Sequence, residues 1–289
     1  MSRLWRDQLQ VFLAPDQVIA VGQSRGFKPV QLFRQHAACT LTTDPSAKPL
    51  PWELPVNQLE QLLEQLATEI KPGTELQVTL ADDFVRYSIV APQAALANPD
   101  ELLAYAGFQL REIYGERVDE WVLGISNWDP LNGGLCAAIP LELLAALEHF
   151  AVRHKLKLKQ TEPYLAAVLD YWSKKLPCDQ LWFVLIETNR FCLVLMRDER
   201  WQCIRNQRVI SNLEQELLSA LEQEAVLSGQ SVNASQIQAV KVFAPAVAEW
   251  QLSRIQGWHF ERLSLREDQP VPACFPRVDL SDNHMGVYA

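Results

Sequence analysis

The residues in this chain that could do chemistry are few and scattered. Gly22-Gln23-Ser24-Arg25-Gly26 matches G-x-S-x-G, the sharp turn that exposes a nucleophilic serine between a strand and a helix. Its context fails. Phe27-Lys28-Pro29-Val30-Gln31-Leu32-Phe33 reads as another strand, with proline where a helix should run. The expected role is a glycine-containing turn. Asp82-Asp83 closes an apolar strand pattern, a position where α/β proteins often place function. Paired carboxylates can hold magnesium, but a turn or helix-capping role is the expectation here. His149 and His154 stand five apart, whereas zinc pairs on one helix face use i and i+4. No metal site is therefore expected. Neither G-x-x-x-x-G-K-[ST] nor G-x-G-x-x-G occurs, and 11 glycines in the whole chain leave little for backbone phosphate cradles. Six cysteines without a C-x-x-C pair read as buried thiols of a reducing compartment.

Bulk properties exclude further classes. A chain of 289 residues can bury a large core as one domain or two subdomains. A formal net charge of −9 without a long basic run argues against nucleic acid as a partner, because binding it requires Lys and Arg to displace counterions. The N-terminal MSRLWRDQLQVFLA has no apolar leader core, and no run reaches the roughly 18 apolar residues of a membrane span. The expected location is cytoplasmic. Of the 9 tryptophans, Trp52, Trp128, Trp201 and Trp250 fall near loops and element ends, where they mark an interface or packing between subdomains.

The elements that would position these residues follow from periodicity and punctuation. Residues 10–14 and 18–22 form two short strands around Pro15-Asp16, with a third over 30–41. Leu59, Leu62, Leu63, Leu66 and Ile70 give a helix over 58–70. Strands over 76–80 and 85–90 follow. A helix over 99–115 comes next, with acids in its first turn and a glycine exit. Strands over 120–125 and 135–139 flank Asn132-Gly133-Gly134. A helix over 141–154, a strand over 155–160 and a helix over 164–176 end the first half. The second half has strands over 181–186, 191–197 and 201–206 and a helix over 212–228. A strand over 238–243, a helix over 245–256 and a strand over 258–265 complete it. The proline-bearing tail 266–289 is expected to be extended.

Both halves therefore open with a hairpin, a further strand and a helix. This order predicts an α/β protein with a duplicated ribonuclease-H-like fold, mixed five-stranded sheets flanked by helices. Its division is a first subdomain over 1–176, a shorter second over 177–265, and the tail. The pieces QVFLAPDQVIAV, VTLADDFVRYSIVAP, EPYLAAVLDYW and FVLIETNRFCLVLMRDERWQCIRNQRV resemble the PilM family and its GspL-type cousins, actin-like proteins of type IV pilus and type II secretion assembly. Ribonucleases H carry a catalytic acid on the first strand; Val11-Phe12-Leu13 has none.

The resemblance implies where a nucleotide would sit, and the residues there depart from it. In the first phosphate turn the family's acid falls at Phe12, its glycine at Ala14 and its lysine at Ile19. In the second, the acid falls at Leu185, the glycine at Glu187 and the threonine at Phe191. The adenosine loop falls near Phe243-Ala244-Pro245-Ala246, which has no glycine. Phe12 and Leu185 cannot orient a metal or water, and an ionised Glu187 would repel phosphate. The expectation is a pseudo-ATPase with no catalytic residues and no cofactor. The resemblance further implies a cytoplasmic scaffold at the inner membrane. Its partner would be a membrane protein's short cytoplasmic peptide or the assembly ATPase, and it would reach the membrane only through that partner. An active actin-like ATPase or kinase is the alternative.

Overall fold

The computed structural model describes residues 7–24, 30–39, 50–93, 96, 98–229, 237–245, 247, 254–265 and 275–276. The first sheet contains β1 (Gln8–Leu13), β2 (Gln17–Ser24), β3 (Val30–Ala38) and β4 (Glu75–Leu80). Its fifth strand is Lys157–Pro163 (β8, counting the three strands described below), and the order is β3-β2-β1-β4-β8. The first three strands form an antiparallel meander, while β4 lies parallel to both β1 and β8. The second sheet repeats this plan with β9 (Gln180–Glu187), β10 (Arg190–Arg197), β11 (Arg200–Arg208), β12 (Gln238–Phe243) and β14 (Trp258–Arg262). Its order is β11-β10-β9-β12-β14-β13, the last being the two-residue β13 (Arg254–Ile255). The matching 3-2-1-4-5 orders establish the duplication. The second sheet has six strands, not the five expected.

A third sheet was not anticipated. β5 (Arg86–Val90), β6 (Trp121–Asp129) and β7 (Gly133–Pro140) form a separate antiparallel sheet, order β5-β7-β6, covered by α2 (Pro99–Tyr114). Each strand was legible from the turn signals beside it, but which sheet a strand joins is set by long-range pairing. The helix expected over 245–256 also needs correction: Arg254 and Ile255 pair with β14 as a strand. Most of the rest of that stretch lies outside the described residues. Helix α1 runs Glu53–Gln65, earlier than the 58–70 expected. Pro55 fits its first turn, where a missing N–H costs nothing because those groups have no intrahelical partner.

Two helices join the halves to their cores. α4 (Tyr164–Trp172) lies between the two large sheets. Its buried residues share one core with Leu9, Val11 and Leu13 of β1 and with Phe183, Leu185, Cys192 and Val194 of the second sheet. The opposite face of β9 and β10, with Trp182, Val184, Ile186, Phe191, Leu193 and Leu195, packs on α5 (Leu213–Leu227). Strands buried on both faces read as unbroken apolar runs, which is why 181–186 showed no alternation. Trp182 and Trp258 meet edge to face at 5.2 Å inside this second core. Helix α3 (Leu141–Arg153) packs beside β8 and α1.

The G-x-S-x-G match has a packing explanation. Gly22 pairs across the strands with Phe33, and a Cβ at Gly22 would come within 2.3 Å of the Phe33 ring. The glycine makes room for that ring, and Ser24 ends a strand with its hydroxyl 3.4 Å from the Val30 carbonyl. Of the cysteines, Cys136, Cys192 and Cys203 are buried as expected, but Cys178 is exposed and Cys39 is half-buried.

Candidate functional site

The two hairpin turns face each other across a cleft of about 350 Å³. In the first turn the N–H of Ala14 donates to the Gln17 carbonyl at 2.9 Å, and the N–H of Gln17 donates back at 3.4 Å. Pro15 has no N–H to offer. The second turn, Thr188-Asn189, connects the paired residues Glu187 and Arg190. The cleft is lined by Phe12, Ala14, Asp16, Asp83, Tyr164, Glu187 and Arg190, among others. Of the six positions that the resemblance aligns with phosphate turns, Phe12, Ala14 and Glu187 reach this cleft. Ile19, Leu185 and Phe191 are at most 2% exposed and belong to the cores. Phe12 is itself nearly inaccessible and stands edge-on to Tyr164 at 4.9 Å.

The floor of the cleft holds a polar cluster assembled from three separate parts of the chain. Asp82 is 0% exposed. Its Oδ1 accepts from the Tyr87 hydroxyl at 2.5 Å and from the Leu165 N–H at 3.4 Å. The N–H of Asp82 donates to Glu187 Oε1 at 3.1 Å. Asp83 receives Arg190 Nη2 at 3.2 Å, and the other Arg190 nitrogen, Nη1, donates to Asn206 Oδ1 at 2.6 Å. Asn206 in turn donates to the carbonyls of Asp82 at 2.8 Å and Val85 at 3.3 Å. Asp82 and Asp83 start a short 3-10 turn, but no side chain caps it. Of the turn or capping role expected for the pair, the turn is what they form, and they also link the first half to the hairpin of the second.

Burial dominates the protonation of this cluster. It raises the Asp82 pKa to about 7. The bonds from Tyr87 and Leu165 and the charge of Arg190 pull down, and Asp83 pushes up. Burial, then the neighbouring Asp82 and Asp83, hold Glu187 well above the ordinary carboxylate range. The raised pKa makes Glu187 a weaker repeller of phosphate than its residue type suggests, although it is half-buried and lines the cleft. Two neighbouring carboxyls cannot both ionise cheaply.

These residues do not fit a triphosphate. Neither turn contains glycine. In the first turn the Ala14 and Gln17 amides donate inward to each other's carbonyls and Pro15 has no N–H, which leaves Asp16 to supply the turn's outward amide. Arg190 is bound to Asp83 and Asn206, and one Arg86 nitrogen lies against the carbonyls of Asp83 and Val85. Among the described residues, no group of three His, Cys, Asp or Glu side chains is placed to hold a metal ion. Arg190, Asn206, Tyr87 and Tyr164 were not singled out from sequence. Only the strand-ending Asp82-Asp83 gave a signal, because the others come from elements far apart in the chain.

The chain has the actin-like ATPase fold. It is similar to a Bacteroides thetaiotaomicron protein with that fold and unknown function, at 8% identity and a TM-score of 0.54, covering 84% of this chain and 82% of the other. It is also similar to the cytoplasmic domain of EpsL, an inner membrane component of the type II secretion system of Vibrio cholerae. There the identity is 13% and the TM-score 0.54, with 90% of each chain covered. A third similar structure is the PilM–PilN type IV pilus biogenesis complex, at 15% identity and a TM-score of 0.52, covering 84% of this chain and 82% of that one. No family model matches the sequence, and no curated protein does.

Proposed function

We propose that this chain is a non-catalytic adaptor of a bacterial type IV pilus or type II secretion assembly platform, working on the cytoplasmic face of the inner membrane. The observation that carries the non-catalytic part is the inter-hairpin cleft. Where a nucleotide's phosphates would need glycine turns with outward amides, it offers Pro15 and two inward-paired amides, a glutamate whose pKa is raised by burial, and an Arg190 already held by Asp83 and Asn206, leaving Arg208 as the exposed cation of the lining. The fold shared with EpsL and PilM supports the assembly-platform part. In this reading the chain divides after residue 176, and residues 177–265 form the second subdomain.

The partner would be a short extended peptide from a membrane protein. The groove best suited to it is lined by Val122, Leu123 and Gly124 of β6 and Leu158, Gln160 and Thr161 of β8. Both strands end their sheets, so each can accept an added strand through its outer backbone groups. Gly124 is exposed, and a Cβ there would meet no atom within 4 Å. Glycine inside a strand suits close approach of another backbone.

Two measurements test this. A thermal shift with millimolar ATP, ADP and magnesium is expected to be nil; a rise of several degrees, as a native-state ligand produces, would return the protein to the ATPases. Cytoplasmic peptides of inner-membrane proteins encoded beside it are expected to bind the wild type. Gly124→Arg should fold normally and lose that binding. Undiminished binding by Gly124→Arg would remove the groove from the proposal.

A further inference from the structure

Phe275 lies ten residues beyond Leu265, the last residue described after β14, and it is 0% exposed. Its ring stands edge-on to Tyr164 at 5.1 Å and to Tyr171 at 6.2 Å, both on α4. It lies 6.1 Å from Phe243 at the carboxyl end of β12. Its carbonyl accepts from Arg34 Nη2 of β3 at 3.1 Å. The next residue, Pro276, lines the inter-hairpin cleft. The tail was expected to be extended; Phe275 and Pro276 are its described residues, and both are buried.

The location has a general meaning. In open α/β sheets, ligands settle in the crevice outside the carboxyl ends of the strands. Phe12 of β1 and Phe243 of β12 mark that end of the two sheets. A ring held there by first-sheet, α4 and second-sheet residues bridges the halves as a bound small molecule would. Edge-to-face aromatic contacts favour this geometry over simple apolar filling. Phe275 and Phe243 belong to the core that both sheets share, so its burial gain depends on the sheets staying together.

We propose that Phe275 and Pro276 form a built-in ligand: they occupy the aromatic end of the cleft and clamp the two halves without any small molecule. The clamp stands apart from the adaptor reading, since its test involves neither nucleotide nor partner. In the full chain, Phe275→Ala is expected to lower Tm by about 5–10 °C. It should also speed hydrogen exchange at the start of α4 and at the end of β12. Toluene, which can fill a dry ring-sized cavity, should restore part of the Tm. Leu193→Ala, in the second core, serves as the comparator: a similar loss of Tm without faster exchange at α4. If Phe275→Ala does not fold, Arg34→Gln keeps the ring and removes the clasp, and faster exchange confined to residues 275–276 and their contacts is the expected result. Wild-type melting and exchange in Phe275→Ala, or an exchange pattern like that of Leu193→Ala, would overturn the proposal.

Discussion

Replacing Asp82 by asparagine tests whether the floor of the cleft carries a proton. Burial lifts the Asp82 carboxyl from its ordinary 3.8 to about 7 in the folded protein. A folded acid with a raised pKa holds its proton more tightly than the unfolded chain does. Stability is therefore fully present below the unfolded pKa and falls as pH rises from near 4 to near 7. A shift of about three units corresponds to roughly 4 kcal/mol in all, of which about 3 kcal/mol is lost between pH 5 and pH 8. For a chain of this length, with an unfolding entropy of about 2 cal/mol/K per residue, that is a fall of about 5 °C in Tm. Asparagine has the same shape, and its oxygen can still accept from Tyr87 and Leu165, but it cannot ionise. Tm of both proteins would be followed in steps from pH 5 to pH 8 at constant ionic strength. Asp82→Asn should gain on the wild type by about 5 °C across that range. Parallel profiles would refute the reasoning and show that Asp82 is ionised at no cost, through contacts stronger than those described.

Two further predictions rest on local geometry. Gly22→Ala should cost about 1–3 kcal/mol, because its Cβ would overlap the Phe33 ring. Ser24→Ala should leave stability within about 0.5 kcal/mol, and denaturant unfolding of both variants measures the contrast. Arg190→Met should lower stability by about 2–4 kcal/mol, since it leaves Asp83 and Asn206 without their shared partner. Reversal of most of that loss in Arg190→Met/Asp83→Asn would show the cost to be an unpaired charge rather than lost packing.

The duplication was legible in the sequence because its signals are local. Period-2 patterns, the Pro15-Asp16 and Thr188-Asn189 turns, and helices following each meander are written within about 70 residues each time. That Phe12, Ala14, Leu185 and Glu187 stand in and beside the two hairpin turns was equally legible, since it requires only reading the residues at their places. What the sequence alone could not decide depends on contacts between distant segments. β5, β6 and β7 look like any other strands, and only their mutual pairing makes them a third sheet. Arg254-Ile255 has no strand signal; its pairing with β14 arises because the chain turns at Gln256-Gly257 with positive φ at both. Glu187 reads as a charged turn residue until Asp82, 105 positions earlier, places its N–H and its own carboxyl beside it at the edge of the cleft. Phe275 reads as part of a proline-bearing tail until Tyr164, Phe243 and Arg34 enclose it. Periodicity and turn chemistry are short-range and survive in one dimension. Protonation, burial of a lone aromatic and sheet membership depend on which groups share a dielectric environment, and the folded chain alone sets that.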